Sequence, residues 1–85
     1  MKILKYIITD KEEPIIFSSD IQHDTILKTC ISAGFLIIMF DIVTNKFMAK
    51  CFGESTSLNL KSETKDILVI ENYLNDSFFL ESEHL

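Results

Sequence analysis

Phe35-Leu36-Ile37-Ile38-Met39-Phe40-Asp41-Ile42-Val43-Thr44-Asn45-Lys46-Phe47-Met48-Ala49-Lys50-Cys51-Phe52 is the stretch that decides the fold. Its first arm is apolar from Phe35 to Phe40, the pattern of a strand covered on both faces. Thr44-Asn45 offers a turn. The second arm alternates, with Phe47, Ala49 and Cys51 opposed to Met48, Lys50 and Phe52, which is the period of a half-buried strand. Together they predict a β-hairpin with one continuously apolar arm.

Upstream, Ile3 to Thr9 alternates Leu4, Tyr6 and Ile8 with Ile3, Lys5 and Ile7. This strand, a loop over Asp10–Pro14 and a short strand Ile15-Ile16-Phe17 predict a second hairpin. Pro14 has no N–H to donate and belongs at a strand start or on an edge. Ser19 and Gln22 fit a capping box, predicting a helix from about Asp20 to Cys30 that Ser32-Ala33-Gly34 closes. Downstream, Ser57–Leu60 offers a short fifth strand. Ser62 reads as an N-cap, and Ile67, Ile70 and Leu74 recur at helical spacing until Asn75-Asp76. The order β-β-α-β-β-(β)-α predicts an α+β fold: a small two-layer sandwich, mainly an antiparallel four- or five-stranded sheet, with two helices on one face. Residues 1–76 form a single domain, and 77–85 an acidic-aromatic C-terminal tail.

Composition narrows function. Of 85 residues, 47% are apolar, with two Gly and one Pro, which excludes disorder and linker-like chains. Two cysteines make no disulfide scaffold. A net charge of -5 without any Arg is ill-suited to neutralising phosphates, so duplex nucleic acid is not expected as a partner. Thirteen Ile, eight Lys and no Arg is also the usage of an AT-rich coding sequence. Lys5 breaks the N-terminal apolar run, so no secretory leader is read there. Phe35–Phe40 covers about a third of the roughly 20 residues that cross a bilayer. A cytoplasmic protein with reduced Cys30 and Cys51 and no membrane contact is expected.

Four sets of residues bear on function. Asp20, His23 and Asp24 share a helical face and offer metal-ligand chemistry, but three ligands from one turn rarely suffice, and a solvated polar face explains them. Ser18 or Ser19 with His23 and Asp24 lacks a nucleophile elbow, and Cys30 lies two turns from His23. No catalytic residue, metal or cofactor is therefore assigned. Gly53, Ser55, Thr56, Ser57, Asn59, Lys61 and Ser62 join a strand to a helix start, where free N–H groups, hydroxyls and a Lys suit a small anion such as a nucleotide. Gly53 stands alone without a Gly-Lys-Ser/Thr, so this is no P-loop, and a solvated turn whose Ser/Thr bond their own backbone is the simpler account of it. Finally, seven Phe, thirteen Ile, nine Leu and three Met exceed what a small two-layer domain hides. Phe35, Ile37, Met39, Phe47, Phe52, Phe78, Phe79 and Leu80 are expected at an interface, forming a homodimer or meeting a protein partner.

Ser32-Ala33-Gly34-Phe35, followed by Cys51-Phe52-Gly53-Glu54-Ser55-Thr56-Ser57-Leu58, resembles short bacterial and phage proteins that carry both segments before an acidic C-terminal helix. The resemblance spans residues 3–75 and implies a bacterial or phage origin. It carries over no catalytic residue, because no activity is assigned to such proteins. The expected function is a small non-enzymatic binding module, an inhibitor-like accessory protein acting by self-association or protein contact. The alternative is sequestration of a small anionic ligand by Gly53–Ser62, at a dimer interface.

Overall fold

The computed structural model describes residues 2–27 and 29–84, with side-chain surroundings through residue 76. β1 (Ile3–Ile8) and β2 (Pro14–Ser18) form the first hairpin, Lys5 facing Phe17 and Ile7 facing Ile15. Thr9 N–H donates to the Glu13 carbonyl, which fixes the alternation and leaves Pro14, opposite Ile8, at an outward edge position. On its other side β1 pairs with β3 (Ser32–Asp41), Lys5 facing Phe35. β3 returns as β4 (Lys46–Phe52), with Met39 opposite Met48. Asp41 ties the turn between them: its carboxylate accepts Val43 N–H and its carbonyl accepts Asn45 N–H. All three pairings are antiparallel, in the order β2-β1-β3-β4. The α+β class read from the alternation is the one observed.

The inner face of the sheet packs on α2 (Thr64–His84). Tyr6, Ile8, Leu36, Ala49 and Ile70 form the buried cluster, with Leu4, Ile16, Ile38, Cys51, Val69 and Leu74 around it. Burying such side chains supplies roughly 1.5–3 kcal/mol each, the main force holding helix to sheet. The helix starts one residue later than Ser62 as N-cap would have it. Asp66 reaches back to accept Glu63 N–H, a capping-box bond, while Ser62 N–H goes to the Gly53 carbonyl. Asn75-Asp76 does not end the helix, which runs on to His84. The Asn75 amide has another use: it accepts Phe47 N–H and donates to the Phe47 carbonyl.

Glu71 adds a second contact of this kind, accepting Ala49 N–H at 2.8 Å. Four helical residues rise about 6 Å and two strand residues about 6.6 Å, so side chains at 71 and 75 match amides at 49 and 47. The helix thereby supplies hydrogen bonds that a fifth strand beside β4 would supply.

The first helix departs most from expectation. α1 is a single turn, His23–Ile26, and Gln22 makes no side-chain cap bond. Ser18 Oγ accepts Asp20 N–H in place of the Ser19–Gln22 box. Thr25 and Ile26 are β-branched, and Leu27 is already extended, so helix does not propagate. This connection crosses the outer face, opposite α2. There His23 lies edge-on to Phe17 and Phe35, Lys5 Nζ donates to the Ile21 carbonyl, and Ile31 N–H donates to the Ile8 carbonyl. The two helices are on opposite faces, not one.

After Phe52 the chain forms a small separate ladder, β5 (Glu54–Ser55) with β6 (Leu60–Lys61), Glu54 facing Lys61. The expected fifth strand over Ser57–Leu60 is therefore mostly the turn between these two. Asn59 takes a left-handed φ of 56° there. Among the described residues no helix is long and apolar enough to cross a membrane.

Candidate functional site

Alternation sends Ile3, Lys5 and Ile7 of β1 to the outer face, with Phe35, Ile37 and Met39 of β3 and Met48, Lys50 and Phe52 of β4. One end of this face is covered: Ile7 and Ala33 have no exposure. The other end is open. Ile3, Met39 and Met48 are 46%, 39% and 46% exposed. Ile3 faces Ile37 and Met39 faces Met48 in register, so these side chains form one cross-strand block. Beyond it, Ile42 and Val43 at the hairpin tip are 84% and 89% exposed.

Of the expected interface residues, Ile37, Met39 and Phe52 lie on this face. Phe35 shares it but stacks at the covered end, 6.0 Å from Phe52 and 5.8 Å from His23 between ring centroids. Phe47 points the other way, packing edge-on against Phe40. A period of two cannot place Phe47 and Phe52, five positions apart, on one face. The side chains of Phe78, Phe79 and Leu80 lie outside the described residues. Ile3, Met48, Ile42 and Val43 were not anticipated. Met48 was legible from its alternation with Phe47, and Ile42–Val43 from sitting between two strands.

The Gly53–Ser62 residues divide. Gly53 has a φ of 77°, and Phe35 lies 3.0 Å from where a Cβ would be. Ser62 packs against Gly34. Ser55 is buried, its hydroxyl accepting Leu58 N–H and meeting Ser57 Oγ at 3.3 Å. Ser55, Thr56, Asn59 and Lys61 line a cavity of about 430 Å³ together with Glu54 and Glu63. Two carboxylates against one ammonium weigh against an anion in this cavity. At the helix start, Asp66 already sits where an incoming anion would bind, accepting Glu63 N–H.

Among the described residues, Asp66 accepts three hydrogen bonds, more than any other buried side chain. Tyr6 Oη donates to one carboxylate oxygen at 2.6 Å, Ser32 Oγ to the other at 2.8 Å, and all three residues have no solvent exposure. Burial, followed by the bond to Asp66, pushes the Tyr6 hydroxyl well above its ordinary value. Burial, and then the Asp66 charge, raises the nearby Cys51 thiol to about 11. Burial also raises Cys30, and both cysteines are free thiols.

His23 is 3% exposed and far from the solvated imidazole expected of a polar helix face. Its Nε2 lies 2.9 Å from the Gly34 carbonyl; because a carbonyl only accepts, Nε2 carries the proton. Among the described residues no three His, Cys, Asp or Glu side chains gather as a metal set. What His23 does line is a groove of about 190 Å³, together with Ser55, Thr56 and Ser57. The ring from residue 23 and the hydroxyls from 55–57 thus meet across the start of β3. Lys5 and Gln22 line the groove too, and neither stood out in sequence as a site residue.

No protein-family model, curated protein or solved structure matches the chain.

Proposed function

We propose that the protein is a small non-enzymatic binding module of the cytoplasm, working through contact with a second copy of itself across the open end of its outer sheet face. The observation that carries this reading is the cross-strand block of half-exposed Ile3, Met39 and Met48, continued by Ile42 and Val43. Contiguous apolar surface of this kind marks interfaces, because water is released when it is covered. Met side chains adapt to a partner of modest shape complementarity.

A second copy fits better than an unrelated partner because the rim carries both signs. Asp41 and Lys46 are opposite each other in register and Lys50 follows on the same face. In a twofold contact each residue meets its counterpart's neighbour, so Asp41 of one copy can face Lys46 or Lys50 of the other. The net charge of -5 and lack of Arg disfavour duplex nucleic acid as the partner. The small size and net charge of -5 suit an accessory, inhibitor-like protein that covers a basic surface, and the Ser32–Phe35 and Cys51–Leu58 segments favour a bacterial or phage origin.

Sedimentation velocity tests the reading. The wild type is expected to shift from monomer to dimer as concentration rises, and Met39→Lys with Met48→Lys to remain monomeric with unchanged melting behaviour. A wild type that stays monomeric throughout, or a dimer that survives both substitutions, overturns it.

A further inference from the structure

The groove between His23 and the β5–β6 turn has a feature that packing alone does not require. His23 is all but buried, and its one protein hydrogen bond uses Nε2. Its other ring nitrogen, Nδ1, has no partner among the described residues. Yet no buried side-chain nitrogen or oxygen among them is unsatisfied. The small part of His23 that solvent reaches therefore includes Nδ1, and His23 lines this groove. In the neutral ring this nitrogen is an acceptor held in a fixed orientation by the Nε2 bond and by the edges of Phe17 and Phe35.

The rest of the lining mainly donates. Lys5 spends one N–H on the Ile21 carbonyl and keeps two more. Gln22 contributes an amide, and the exposed residues Thr56 and Ser57 contribute hydroxyls, that of Ser57 free to donate when it accepts from Ser55 Oγ. Glu54 is the one carboxylate on the wall. A volume of about 190 Å³ lies below the range of pockets that take drug-sized molecules and has no room for a nucleotide.

We propose that this groove binds a small oxyanion that carries its own proton, with hydrogen phosphate as its ligand. The anion's O–H donates to His23 Nδ1, while its other oxygens accept from Lys5, Gln22 and the hydroxyls of Thr56 and Ser57. An oxyanion with no proton would set a lone pair against Nδ1, leaving both acceptors unpaired. Phosphate keeps at least one proton at neutral pH; sulfate keeps none, although the two ions have the same shape.

The experiment is a titration of the full chain with inorganic phosphate, sulfate and a phosphate monoester at constant ionic strength and pH 8. The readout is the imidazole ¹⁵N resonances of His23. Phosphate is expected to shift Nδ1 and saturate, with sulfate and the doubly ionised monoester binding at least about tenfold more weakly, the effect of one charge-assisted hydrogen bond. Lys5→Met should weaken phosphate about tenfold and Ser57→Ala, at an exposed position, severalfold, with the melting temperature of each variant measured alongside. No Nδ1 shift with phosphate, equal binding of sulfate, equal binding of the monoester, or full phosphate affinity in Ser57→Ala and Lys5→Met each overturns the proposal.

Discussion

Tyr6 and Asp66 stand 60 positions apart in sequence and meet through a 2.6 Å hydrogen bond between two side chains that solvent does not reach. With Ser32 Oγ on the second carboxylate oxygen, one acidic side chain joins β1, β3 and the start of α2. Tyr6→Phe removes one charge-assisted bond and should cost about 2 kcal/mol, lowering Tm by about 10 °C. Asp66→Ala leaves Tyr6, Ser32 and Glu63 N–H without their acceptor and should cost more, about 4 kcal/mol. Thermal and urea unfolding decide; a Tyr6→Phe chain as stable as wild type contradicts this account.

Alkaline pH should weaken the fold. The unfolded Cys51 thiol ionises near 9.0, whereas the folded one keeps its proton to about 11. Above 9 the unfolded chain binds fewer protons than the folded one, so stability, fully present below that pH, falls as pH rises towards 11. The slope is on the order of 1 kcal/mol per pH unit. Tyr6, also raised by burial, adds loss of the same sign above its ordinary value. Urea unfolding between pH 7.5 and 10.5 checks this, and Cys51→Ala should flatten the first part of the decline.

The helix–edge contacts predict separable effects on single amides. Glu71→Ala removes the acceptor of Ala49 N–H, and Asn75→Ala that of Phe47 N–H. Each lost bond is worth about 1 kcal/mol, so exchange of the matching amide should speed up about fivefold. Hydrogen exchange followed by NMR resolves the two sites. Acceleration spread evenly along β4 would mean that the helix, not these side chains, protects the strand.

Gly34 is needed for space. A Cβ there would lie 2.8 Å from the Phe52 carbonyl oxygen and 3.1 Å from Ser62 Cβ. Backbone on one side and a helix-leading residue on the other cannot both yield, so Gly34→Ala should cost about 2 kcal/mol. Gly53→Ala meets another obstacle, a φ of 77°, with a cost of about 1–2 kcal/mol. Urea midpoints of both variants measure these losses.

The sheet was legible because period-two alternation is unambiguous in β1 and β4 and the turn residues between strands are conventional. α1 was not, since its cap signal at Ser19–Gln22 competes with Ser18 Oγ and with contacts to Phe17 and Phe35 that no local pattern encodes. Asn75-Asp76 read as a stop because Asn is a poor helix former; its bonds to β4 come from residues far away in sequence. The same holds for the groove. His23 and Ser55–Ser57 were each visible as polar residues, but their meeting depends on the crossing of the outer face by the α1 connection.

Pro14 at one flank and the Glu71–Asn75 pair at the other leave this pleated layer little room to recruit strands sideways. Lateral recruitment is open-ended and builds ribbons. The twofold contact proposed on the flat of the layer would instead close after two copies and leave no growing end.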